Sequence, residues 1–168
     1  MFWNNGFSLL NITSIVVSNS LSSTTSFSAN GSWSLNGTPT TLLTSNGSYG
    51  ETTTLGAVGA ATQFNVYYWT SSSTWAKTFA NSAATSKGFI AMARTTNFSG
   101  GMLVRGYVYN SSWNWTVGGV LYLQAVGVAG LITQTAPSSS GNIVRVVGYA
   151  ITADLIYFNP SQDWIEIA

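Results

Sequence analysis

The sequence predicts an all-β chain: a small antiparallel β-sandwich or β-barrel with an extended N-terminal arm. Three observations carry this. Short runs of β-branched and aromatic residues recur about eight to twelve residues apart, the spacing of antiparallel all-β folds. Asn-Gly dipeptides and Ser- or Gly-rich clusters punctuate those runs. No segment sustains a helical period between capping residues.

In chain order, residues 1–30 alternate short apolar runs with Ser/Thr/Asn clusters such as SNSLSSTTS. The runs are FSLL, with Phe7, Leu9 and Leu10, and ITSIVV, with Ile12, Ile15, Val16 and Val17. They have strand propensity but few turn residues to fold them back, which suggests an arm whose apolar side chains need a neighbouring surface. A simple N-terminal strand in the main sheet is the alternative. From residue 31 a β-domain is expected to run to 168, with 31–63 as peripheral strands and 64–168 as the main module. Asn30-Gly31, Asn36-Gly37 and Asn46-Gly47 mark tight turns, since both residues tolerate positive φ. GETTTLGAVGAATQ reads as strand and loop, FNVYYWT as a strand, SSST as a turn, WAKTFA as a strand and NSAATSKG as a loop. GFIAMART, MLVRGYVY, GVLYLQAV, GLITQTA, NIVRVVGYAI and DLIYFNP follow as strands. The last two form a hairpin around ITAD. Gly106 and Gly148 fall inside strands, where glycine weakens pairing unless a bulge or a close backbone approach requires it; they are read as bends of a strongly curved sheet.

Composition narrows the function. Hydrophobic residues are 45% of the 168, enough for a core, but charged residues are only 5%, against about 25% in ordinary soluble domains. A net charge of +1 gives almost no self-repulsion, and such surfaces tend to associate. A homo-oligomer, a trimer above all, is expected. The basic residues Lys77, Lys87, Arg94, Arg105 and Arg145 are scattered rather than clustered, which argues against nucleic acid. The most apolar stretch, VGGVLYLQAVGVAGLI, is glycine-rich and broken by Gln124; it reads as two strands and a turn, not a membrane span. MFWNNGF lacks the basic start and apolar run of a secretory signal.

Chemistry-bearing residues are few. With neither His nor Cys, Ser-His-Asp and Cys-His sets cannot be built, nor a thiolate zinc site. Asp163 and Glu166 form the only plausible carboxylate pair, and the alternation in DWIEI makes them surface or interface charges of a terminal strand. No catalytic residue, metal or cofactor is expected. The aromatics are the other candidates. In SWNW, Trp113 and Trp115 lie two apart, hence on one face if the segment is a strand. They are read as core or subunit-interface filler, with a sugar-stacking platform as the alternative. Arg145, within IVRVV, is read as a pairing or interface residue with its planar head on an aromatic, or as an exposed residue on an open strand face.

The C-terminal run carries a further signal. Gly106-Tyr107, the WNWTVG turn from Trp113 to Gly118, LYL at Leu121–Leu123, GLITQTAP from Gly130 to Pro137, VVGYA from Val146 to Ala150 and IYFNPS from Ile156 to Ser161 together resemble a C-terminal module of tailed-phage virion structural proteins. The resemblance covers residues 100–168 and, more weakly, 64–100. It implies a virion protein without enzymatic activity, on the capsid surface or in tail and fibre parts. Small size, a near-neutral surface and the arm favour a capsid decoration (cement) protein that trimerises and bridges capsomers, with the major capsid protein or other virion proteins as partners. The alternatives are a tail-fibre or tail-tip component with receptor or glycan binding, and a secreted carbohydrate-binding module.

Overall fold

The structure, a computed structural model, describes residues 45–168. The arm, with Phe7, Leu9, Leu10, Ile12, Ile15, Val16 and Val17, and the turns at Asn30-Gly31 and Asn36-Gly37 lie outside the described residues. The all-β expectation holds: 38% of the described residues are in strands and 6% in helical turns. The strands are β1 (Gly47–Thr53), β2 (Val66–Trp69), β3 (Trp75–Lys77), β4 (Ile90–Ala93), β5 (Met102–Tyr109), β6 (Val120–Leu123), β7 (Ile132–Thr133), β8 (Ile143–Val144), β9 (Val146–Ala150), β10 (Leu155–Phe158) and β11 (Ile165–Glu166). The loop expected at NSAATSKG contains one helical turn, α1 (Ala83–Ser86), whose N-cap Ser82 accepts a hydrogen bond from the Ala84 amide.

Nine strands form one curled antiparallel sheet, a half-barrel: eight follow the order β3-β2-β4-β5-β10-β9-β6-β7, and β1 pairs with β5 off this path. The axis of the sheet is β5, paired on both edges. β1 runs along one edge from Tyr109 to Met102, while β10 and β4 share the other, meeting Gly106–Tyr109 and Met102–Leu103 respectively. The curl brings the two ends of the sheet together. The Gly130 amide donates to the Thr78 carbonyl at 2.7 Å, the Val66 amide to Gly130 at 2.7 Å and the Ala80 amide to Gln124 at 2.9 Å. These bonds lie outside the regular ladder and satisfy the backbone groups that an open sheet would leave bare.

Two apolar clusters result. Ile90 and Met92 of β4 face the larger, with Leu103, Val108, Leu121, Leu123, Val147, Ile156 and Phe158. Ala91 and Ala93 face the other way, into a cluster with Tyr67, Trp75, Phe98 and Met102. All four β4 residues are therefore buried, as IAMA would suggest for a strand covered on both faces. The segment between β1 and β2 covers the smaller cluster and is tied down by polar bonds. Trp75 Nε1 donates to the Leu55 carbonyl at 2.7 Å, and the Tyr67 hydroxyl accepts from the Thr62 amide at 2.8 Å.

The glycines in the strands do what a close backbone approach demands. Gly50 and Gly106 face one another across β1 and β5 at φ +151° and +153°. A Cβ on Gly106 would overlap the Tyr49 carbonyl oxygen and sit 2.7 Å from Gly50 Cα. Gly148, at φ +159°, is pressed in the same way on the Tyr157 carbonyl. Side chains at these places would force the strands apart. Gly106→Ala should therefore cost on the order of 3 kcal/mol. Urea unfolding should show a lower midpoint with an unchanged slope; an unchanged midpoint would show that the strands can part without cost.

Candidate functional site: an aromatic sheet face and a buried arginine

Cross-strand register places four tyrosines in one row. Tyr49 of β1 opposes Tyr107 of β5, Tyr107 opposes Tyr157 of β10, and Tyr157 opposes Tyr149 of β9. Directly opposed residues share a sheet face, and their strand neighbours Val108, Ile156, Phe158 and Ala150 are buried; the tyrosines therefore line the outer face. The Tyr107 and Tyr157 rings lie 5.0 Å apart at 46°. Tyr49 and Tyr149, at the two ends of the row, are 36% and 45% exposed. Next to Tyr149 the exposed Ile151 and Val117 extend the apolar surface, carried together by the Gly118 amide bonding to the Ala150 carbonyl at 2.8 Å. One ion pair, Glu51 with Arg105 at 3.4 Å, lies two positions along β1 and β5 from the row.

Trp113 and Trp115 come together, though not as two residues of one strand. Asn110 to Gly119 is an irregular loop between β5 and β6. Asn110 Oδ1 accepts from the Ser112 amide, and the Gln134 side chain bonds both the amide and the carbonyl of Thr116, local partners that compete with a ladder. The two indoles lie 5.7 Å apart at 55°, and Trp113 leans on Phe64 at 5.7 Å and 59°. Tilted rings of this kind pack against the larger cluster rather than forming a flat stacking platform. With Gln63, Asn65 and Asn110 they wall a cavity of about 310 Å³. The buried Trp115 Nε1 has no acceptor among the described residues.

Arg145 was expected on an open strand face or stacked on an aromatic; it lies in the interior instead, 2% exposed. It interrupts IVRVV, so that β8 and β9 are separate strands. Its Nε donates to the Ser161 carbonyl at 2.9 Å, and Nη1 donates to the carbonyls of Ser86 at 2.7 Å and Gly88 at 2.9 Å. It takes part in neither ion pair found among the described residues. Burial pushes its guanidinium below its ordinary pKa, because desolvation penalises the charged form. The cation that does stack on an aromatic is Lys87, 3.5 Å from the Trp164 ring centroid and paired with Glu166 at 3.3 Å. Glu166 thus has a cation for a partner, and no cluster of three His, Cys, Asp or Glu side chains is assembled among the described residues.

Residue-by-residue reading missed the tyrosine row. Its signal is present, because Tyr49, Tyr107 and Tyr149 each stand beside a strand glycine in SYG, RGYVY and VVGYA. No family model matches the chain, and no curated protein and no solved structure matches it either.

Replacing Arg145 by Met should lower stability by roughly 3 kcal/mol, because the buried Ser86 carbonyl and the part-buried Ser161 and Gly88 carbonyls lose their donors. Removing the exposed Arg105 side chain as Ala should change it by less than about 1 kcal/mol. Urea unfolding of the two variants checks the difference, and equal effects would contradict this assignment.

Proposed function

We propose that the chain is a non-enzymatic structural protein of a tailed-phage virion, attached to the capsid surface as a decoration protein through its tyrosine face. The observation that carries this reading is the open row Tyr49–Tyr107–Tyr157–Tyr149 on a domain with very few charges. Tyrosine brings a large, stiff contact surface with a polar tip at low entropic cost, and it is enriched where proteins meet. Weak attachment repeated at many symmetry-related positions adds up to a firm hold on a shell. The resemblance of residues 100–168 to phage virion modules points the same way. In this reading the chain acts as a homo-oligomer, a trimer, and its partner is the major capsid protein.

A second reading has one observation in its favour. The cavity walled by Trp113, Trp115 and Phe64, with amide side chains at its rim and an indole N–H lacking an acceptor, has the makings of a sugar site. It would suit a fibre or tail-tip component that holds a receptor glycan.

Copy number separates the two. Quantitative gel densitometry of purified virions should find hundreds of copies per particle for a decoration protein and a few tens for a tail component. Full-length protein carrying Tyr107→Ser and Tyr149→Ser should stay folded and lose most of its binding to undecorated capsids. A copy number in the tens, or a variant that binds undiminished, would contradict decoration through this face.

A further inference from the structure

Arg145 has more donors than the fold consumes. A guanidinium offers five N–H groups. The bonds to the carbonyls of Ser161, Ser86 and Gly88 account for Nε and Nη1, and Nη2 has no acceptor among the described residues. Arg145 is also part of the wall of a cavity of about 190 Å³, which it shares with Arg105, Glu51, Phe89, Asn159 and Gln162. A desolvated cation with no carboxylate within ion-pair distance among the described residues, unspent donors and an adjoining cavity is the arrangement that an anion satisfies.

We propose that this cavity binds a carboxylate group, gripped on one side by Arg145 Nη2 and on the other by the Arg105 guanidinium. Charge sets the class of ligand. Two guanidiniums and the Glu51 carboxylate leave a single positive charge around the cavity, which a monoanion neutralises and a dianion overshoots beside Glu51. Geometry agrees, since a carboxylate presents two oxygens in one plane, one for the remaining Nη2–H groups of Arg145 and the other for Arg105. The volume admits the carboxylate and the few atoms that carry it, with the Asn159 and Gln162 side chains available to neighbouring hydroxyl or amide groups. Arg105 is already held at 3.4 Å from Glu51, so the incoming carboxylate completes a charge chain Glu51–Arg105–ligand–Arg145. The site is separate from the tyrosine row and from the tryptophan cavity. It does not rest on the capsid reading: a virion protein and a free module would carry it alike.

The shared chemistry has two sources, an acidic sugar and a peptide C-terminus. The test is an NMR titration of the full-length protein, following the Arg145 Nε–Hε resonance. The probes are glucuronate, N-acetylglycine, glucose and inorganic sulfate, each added separately. Glucuronate, N-acetylglycine or both should move the resonance saturably, with a dissociation constant on the order of 1 mM; which of them binds more tightly identifies the source. Glucose should leave it unmoved, and sulfate should bind more weakly than the better carboxylate. Arg105→Ala keeps the buried bonds of Arg145 and should weaken carboxylate binding by about tenfold or more. The proposal is overturned by a resonance that neither carboxylate shifts, by sulfate binding as tightly as the better carboxylate, or by an Arg105→Ala variant with unchanged affinity.

Discussion

The described part of the chain is held in shape by one buried charge. Arg145 lies where three segments distant in sequence converge: the end of α1, the junction of β8 and β9, and the strand exit after β10. The last carbonyls of a short helical turn have no partners within it, and the chain beyond Phe158 leaves the sheet with a carbonyl to satisfy. A single planar guanidinium serves all of them because its donors diverge in one plane. A lysine ammonium, a compact point charge, cannot span the same distances. Burying a cation without a carboxylate is costly, and here three backbone carbonyls offset that cost.

From this tie the two surfaces of the sheet follow. Because Arg145 divides IVRVV, Val144 pairs with β11 while Val146 onward pairs with β6, and Val147 is left in the interior as the bulge residue. The faces then alternate along β9 with Tyr149 outward and Ala150 inward. On β5 the extra residue at Val104 makes the same kind of adjustment, turning Arg105, Tyr107 and Val108 to their observed sides. The glycines at 50, 106 and 148 let neighbouring backbones approach closely across β1, β5, β9 and β10. Packed valine, isoleucine and phenylalanine fill the concave side, and tyrosine is left on the convex one. An outer face rich in tyrosine and poor in charge is stable in water only while it stays modest in extent or finds a partner, and this links the packing to the proposed role in an assembly.

Much of the architecture was legible in the sequence, for reasons that particular residues make clear. MLVRGYVY and LIYF became β5 and β10 because their alternation matches a half-buried strand, and ITAD closed the hairpin through Thr152, whose hydroxyl accepts from the Asp154 and Leu155 amides. Gly106 and Gly148 were legible as special positions, read as bends of a curved sheet, because glycine inside a strand calls for a bulge or a close backbone approach; the structure shows the close approach. What stayed hidden was non-local. The partners of Arg145 at Ser86 and Gly88 lie 59 and 57 residues away, so a periodic reading places it on a surface. The tyrosine row depends on the register of four strands, which no single strand reveals. WNW has the spacing of a strand, yet amide side chains at Asn110 and Gln134 hold it as a loop. The helical turn α1 is too short for its four residues to show a period.

Backbone carbonyls lock the Arg145 guanidinium inside the fold. Hydrogen exchange of the arginine Nε–H groups tests this most directly, followed by NMR at neutral pH. Arg145 Nε–H should exchange only when the domain opens, with protection close to that of the core amides of β5 and β10, while the exposed Arg105 exchanges freely. An Arg145 signal that exchanges as fast as that of Arg105 would contradict it.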